Sequence, residues 1–140
     1  MAVTLDLQSR RGRHAESRLE RDPIAWLTTV RPTGQPDTVP VWFLWWDNAI
    51  LIYSQPHTRK LRNLAQNASV SVVLDDTDGG GDVVRIEGTA KTASDHPAAS
   101  EVPAYAEKYS MQIRRSFGTP ERFARDYAVP LIVTPTRIHA

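Results

Sequence analysis

The chain has no cysteine, which excludes disulfide staples, a thiolate nucleophile and any metal site built on thiolates. That composition suits a reducing compartment. Long apolar runs are missing too: Met1 to Glu20 is charged and polar, without the apolar centre of a secretory leader, and no later stretch could span a bilayer. We therefore expect a cytoplasmic protein with no membrane partner. There is no excess of charge of one sign. With 17 Lys plus Arg against 16 Asp plus Glu, no global field draws the chain to nucleic acid, and any basic site has to be local. Internal repeats and low-complexity linkers are absent. The 140 residues suit one domain over 1–140 that buries about two-thirds of its unfolded surface.

Several chemistries lack their residues. His14, His57, His96 and His139 are scattered, none at a metal-ligand spacing from another His or a suitable acid, so no metal is expected. No nucleophile elbow, triad spacing or carboxylate pair points to hydrolysis. Residues 76–87 carry Asp76, Asp78, Gly81 and Glu87 in a calcium-loop order. The flanking Val70-Ser71-Val72-Val73 and Val83-Val84-Arg85-Ile86 are β-type, and Gly80 stands where a ligand oxygen is needed. A mobile hairpin tip is the expectation instead.

What is present is mostly strand. After a polar N-terminal helix (Leu7 to Arg21, within a segment 1–22) with a narrow stripe of Leu7, Ala15 and Leu19, strands are expected at 26–30, 38–46 and 49–54. Arg31 to Pro36 and Asp47-Asn48 supply the turns. Two further strands, 69–75 and 83–92, form a second hairpin. A helical excursion over 95–128 includes a helix opened by Thr119-Pro120-Glu121. The last strand, 131–138, holds Pro135 and suits a sheet edge. Six short strands in meander order predict a mainly β fold, an antiparallel barrel with peripheral helices. Trp42, Leu44 and Trp46 alternate with Phe43 and Trp45, so both faces of that strand are apolar. One face would fill the core, and the other would meet a partner subunit or a flat ligand.

The most informative segment is Ser54 to Leu64, where a strand hands over to a helix with Leu61, Leu64, Ala65 and Ala68 on an inward stripe. Thr58 is the expected N-cap. Unpaired helix N–H groups beside Lys60, Arg59 and Arg62 suit a phosphate. A solvated basic face is the plain alternative.

The order of Trp26-Leu27-Thr28-Thr29-Val30, Gly34-Gln35-Pro36, Arg59-Lys60-Leu61-Arg62-Asn63-Leu64 and Arg85-Ile86-Glu87-Gly88-Thr89-Ala90 resembles the pyridoxamine 5'-phosphate oxidase-like split β-barrel family. Within it, the chain resembles the actinobacterial branch that uses coenzyme F-420, a deazaflavin. The resemblance implies a homodimer with two cofactor sites at the subunit interface. It places Lys60 on the phosphate-binding Lys, followed by Asn63, with Ser54, Thr58, Arg59 and Arg62 completing the anion pocket. Thr28, Thr29, Pro40, Val41 and Trp42 match segments that line the cofactor ring. Members that hold flavin mononucleotide (FMN) commonly carry an Arg on the second strand, where this chain has Val39 or Pro40. Arg137-Ile138-His139 does not closely reproduce the substrate-binding Arg and His of pyridoxamine phosphate oxidases.

The resemblance thus implies a deazaflavin-dependent reductase acting on a small organic molecule, with an apolar pocket edged by Trp42 or by Tyr105 and Tyr109. An FMN-binding oxidoreductase of the pyridoxamine phosphate oxidase type and a non-catalytic cofactor carrier are the alternatives. No side chain is singled out as a catalytic acid or base. A single-stranded nucleic-acid binder using Arg59, Lys60, Arg62 and Trp rings is disfavoured by the near-neutral charge.

Overall fold

A computed structural model describes residues 6–140; residues 1–5 of the expected N-terminal segment lie outside the described residues. The chain runs α1 (Arg10–Arg21), β1 (Ala25–Val30), β2 (Pro36–Val41), β3 (Leu44–Trp46), β4 (Ala49–Ser54), α2 (Arg59–Gln66), β5 (Ser69–Leu74) and β6 (Arg85–Thr92). A short 3-10 turn at Ala99–Glu101 leads into α3 (Pro103–Lys108), α4 (Ser110–Ser116) and α5 (Pro120–Asp126), and β7 (Val129–His139) closes the chain. All seven strands form one antiparallel sheet in the order β2-β1-β5-β6-β7-β4-β3. The fold is the mainly β split barrel.

The strand expected over 38–46 is broken at Trp42-Phe43, which raises the count from six to seven. The two halves lie on opposite edges of the sheet, so this dipeptide bridges the split. Its backbone groups, having left the ladder, are taken up by α3 and by the residue that follows it. Lys108 Nζ donates to the Phe43 carbonyl at 2.8 Å, and the Phe43 N–H donates to the Tyr109 hydroxyl at 2.8 Å. That hydroxyl donates in turn to the Pro23 carbonyl at 2.7 Å. Lys108 also sits 3.8 Å above the Phe43 ring, and burial lowers its pKa to about 8.

The alternation of apolar residues holds across the break. Phe43 and Trp45 join the barrel core with Ile50, Ile52 and, from α1, Ala15 and Leu19. Trp42 and Leu44 join a second core with Leu51, Tyr53 and the residues of α3 to α5. β4 is thus buried on both faces, and the chain's own helices cover most of the face that was expected to meet a partner or ligand. Trp46 remains 51% exposed.

Three further expectations change. β7 is not an edge strand: it pairs with β6 on one side and β4 on the other. A bulge at Glu87/Gly88 absorbs Pro135, as a proline inside a sheet requires. The hairpin tip between β5 and β6 is gripped rather than loose, because Arg18, 3% exposed on α1, reaches the Asp76 and Asp82 carbonyls and pairs with Asp22 at 2.7 Å. On α2 the inward stripe is narrower than expected: Leu61 and Leu64 pack on the barrel core, whereas Ala65 and Ala68 are exposed. The fully buried residue of that helix is Asn63.

Candidate functional site

β4 delivers Ser54 to the start of α2 in a completely buried position. His57, in the left-handed region at φ 63°, turns the chain into the helix. Thr58 occupies the N-cap position in extended backbone, but its hydroxyl makes no capping bond; it meets Ser54 Oγ at 3.2 Å instead. The expected cap is corrected accordingly, and no side chain among the described residues takes up the first-turn N–H groups of α2. They remain available to a ligand.

The three cations differ in what they touch. Arg62 donates to the His57 carbonyl at 2.7 Å, and Arg59 lies 3.8 Å from Asp37. Lys60 has neither hydrogen bond nor ion pair among the described residues. It is half-buried, and desolvation lowers its pKa.

Two concavities meet at Lys60. One is a polar groove bordered by Thr29, Asp37, Thr38, Arg59, Lys60 and Arg62. The other is a cavity of about 210 Å³ walled by Trp42, Tyr53, Tyr105, Phe117, Phe123 and Tyr127. Pro40, Val41 and Lys60 complete its lining. Its wall residue Trp42 stacks nearly parallel on Phe123 in the lining, at 5.4 Å, and on Tyr109 outside it, at 4.7 Å. Such aromatic stacking builds one side of the cavity.

The structure therefore gathers Thr29, Arg59, Lys60 and Arg62 at the groove and Pro40, Val41 and Trp42 at the cavity. Thr28 stands apart, its hydroxyl paired at 2.8 Å with Thr38 across the β1–β2 ladder. Ser54 and Thr58 satisfy each other behind the helix start and border neither concavity. Asn63 is committed to the protein: its amide donates to Thr29 Oγ1 and Asp37 Oδ2, both at 2.9 Å. It pins α2 to the first hairpin.

Asp37 was not foreseen. It sits among Arg31 (2.6 Å), Asn63 and Arg59, and the Arg31 hydrogen bond, then that of Asn63, holds its carboxyl down to about 2. β2 thus presents an acid to the groove. Nor were Tyr53, Phe117, Phe123 and Tyr127 singled out, because each reads as ordinary core. The aromatic content of 117–127 was the available signal. At the far end of the sheet His139 meets Glu87 at 2.7 Å, and Arg85 reaches the same carboxylate at 3.2 Å, a local ion network away from the cavity.

No helix among the described residues is long and apolar enough to cross a membrane, and they contain no cluster of metal-ligating side chains. None of the curated proteins matches the chain. Among solved structures, the chain is similar to an F-420 reductase, at 26% identity over 89% of this chain and 94% of that one, with a TM-score of 0.69. The same fold occurs in General Stress Protein 26 from Bacillus anthracis, at 18% identity over 91% and 90% with a TM-score of 0.68. It recurs in HutZ, the heme storage protein from Vibrio cholerae, at 16% identity over 94% and 95% with a TM-score of 0.64. The sequence model of pyridoxamine 5'-phosphate oxidase matches residues 12–139, in agreement with the sheet order and with the basic helix that follows β4, and the chain belongs to that family.

Proposed function

We propose that the chain is a cytoplasmic, coenzyme F-420-dependent oxidoreductase that passes hydride to a small organic substrate. In this reading it works as a homodimer with its cofactor sites at the subunit interface. The observation that carries the reading is Lys60, a half-buried cation without a partner among the described residues, placed at a helix start that no side chain of those residues caps. Lys60, with Arg59 beside it, would hold the cofactor phosphate. Thr29 and the segment Pro40 to Trp42 would flank the ring. Arg62 would line its approach, with Ser54, Thr58 and Asn63 shaping the helix start from behind.

A deazaflavin held there would supply the hydride. The protein's part would be to fix the ring and to offer the aromatic-walled cavity beside it. Similarity to an F-420 reductase over most of both chains supports the deazaflavin over FMN.

The test is a fluorescence titration of the purified protein with coenzyme F-420 and with FMN in parallel. We expect selective binding of the deazaflavin, and Lys60→Ala should weaken it by about 1.5–3 kcal/mol, the loss of one charge-assisted hydrogen bond. Unchanged affinity in that variant removes the phosphate assignment, and preference for FMN removes the cofactor assignment. Binding without turnover of any acceptor would make the protein a cofactor carrier. Sedimentation equilibrium should give twice the mass of one chain.

A further inference from the structure

Among the described residues, Lys60 is the one charged side chain that lines the aromatic cavity, and no acid lines it. The ammonium is partly withdrawn from water, with neither hydrogen bond nor ion pair among those residues. Asp37, which borders the adjoining groove, is held by Arg31 at 2.6 Å and by Asn63 at 2.9 Å. An unused cation and an open space therefore border each other. Lysine carries its charge on a long flexible stem with rotatable donors. Bordering both concavities, Lys60 can present its ammonium to either.

Size narrows what could enter. An apolar cavity of about 150 Å³ accepts benzene, whereas sites for drug-sized ligands run to roughly 300–1,000 Å³. At about 210 Å³ this one suits a single substituted ring. Aromatic walls favour a flat, unsaturated guest by stacking and edge contacts. The charge then selects the substituent. A carboxylate on the ring gives Lys60 the charge-assisted hydrogen bond it lacks, with no acid in the lining to repel it. A neutral substituent leaves the ammonium desolvated without a counter-charge, and a cationic one is repelled.

We propose that this cavity binds a single-ring aryl carboxylate, its ring against the aromatic wall and its carboxylate paired with Lys60. The site rests on the cavity and on Lys60, whichever cofactor the protein uses. A regulatory consequence rests on the cofactor reading above: one ammonium then faces two anions, a phosphate at the helix start and a carboxylate in the cavity. Once the first has neutralised Lys60 the second gains less from it, so each weakens the binding of the other.

Calorimetric titration of the purified protein with benzoate, benzamide and acetate tests the site. We expect benzoate to bind roughly tenfold tighter than benzamide, which has its shape without the charge, and than acetate, which has the charge without the ring. Lys60→Gln should erase the preference over benzamide, and Lys60→Arg should restore part of it. In the wild type, nuclear Overhauser effects from the benzoate ring protons should reach the rings of Phe117 and Phe123. Equal binding of benzamide or acetate, a preference that survives Lys60→Gln, or contacts confined to residues outside the cavity overturns the proposal. Benzoate should also raise the apparent Kd of coenzyme F-420. Benzoate bound as expected by a protein that ignores the deazaflavin upholds this site and rejects the cofactor reading, and deazaflavin bound by a protein that refuses benzoate does the reverse. Both bound without mutual weakening upholds the two sites and rejects their sharing of Lys60.

Discussion

Asp37 shows how much one side chain can organise. Its carboxylate receives Arg31 in two hydrogen bonds, at 2.8 and 3.0 Å, and the Asn63 amide at 2.9 Å. Those donors join the first turn, β2 and α2. Because the folded carboxyl titrates at about 2 against an ordinary 3.8, the contribution of this cluster to stability is complete above about pH 4 and disappears as the pH falls towards 2. We expect the urea midpoint to drop over that interval, and a carboxyl NMR titration should place Asp37 at its low end. An Asp37 resonance that titrates near 4 would contradict the geometry. Asn63 belongs to the same cluster. Asn63→Ala should cost about 1–3 kcal/mol in a urea melt, since it leaves Thr29 and Asp37 short of a donor in a mostly dry setting. Sequence reasoning placed Asn63 at the site through family resemblance, but its actual partners come from two strands and could not be read locally.

Among the elements, β7 carries a lesson about proline. Pro135 suggested an edge strand, yet β7 lies between β4 and β6, because the opposing strand offers Gly88 at the bulge. Any Cβ on Gly88 would overlap the Thr134 carbonyl oxygen and press on the Pro135 Cα at 3.2 Å. We expect Gly88→Ala to destabilise by about 1–3 kcal/mol, the usual penalty for overpacking, as measured by chemical denaturation. A neutral result would mean that the bulge can widen. The elements that were legible are those specified over a few residues. Asp47 and Asn48 adopt φ of 53° and 55°, the left-handed pair of a tight hairpin that Asp and Asn tolerate. Thr119 caps α5 by accepting from the Arg122 N–H.

For the molecule as a whole, the decisive feature is the break at Trp42-Phe43, which lets one chain segment serve both edges of the sheet. Tyr109 secures it from 66 residues away along the chain. Tyr109→Phe would leave the buried Phe43 N–H without an acceptor, and we expect a loss of about 1–3 kcal/mol. Hydrogen exchange at Phe43 should rise above that of neighbouring strand amides in this variant; exchange at the wild-type rate would assign the tie to Lys108 alone.

The amino-acid sequence by itself determined the β-rich class, the hairpins, the helical excursion and the basic helix with its lysine, since periodicity, turn chemistry and capping act within a few residues. Tertiary structure alone decided where the long aromatic strand breaks, which strands lie inside the sheet, that Lys60 rather than Arg59 or Arg62 is left without a partner among the described residues, and that rings from 42, 53, 105, 117, 123 and 127 line one cavity. Those outcomes depend on contacts between residues far apart in the chain. Each of those side chains is compatible with plain core packing until the sheet curls and brings them together.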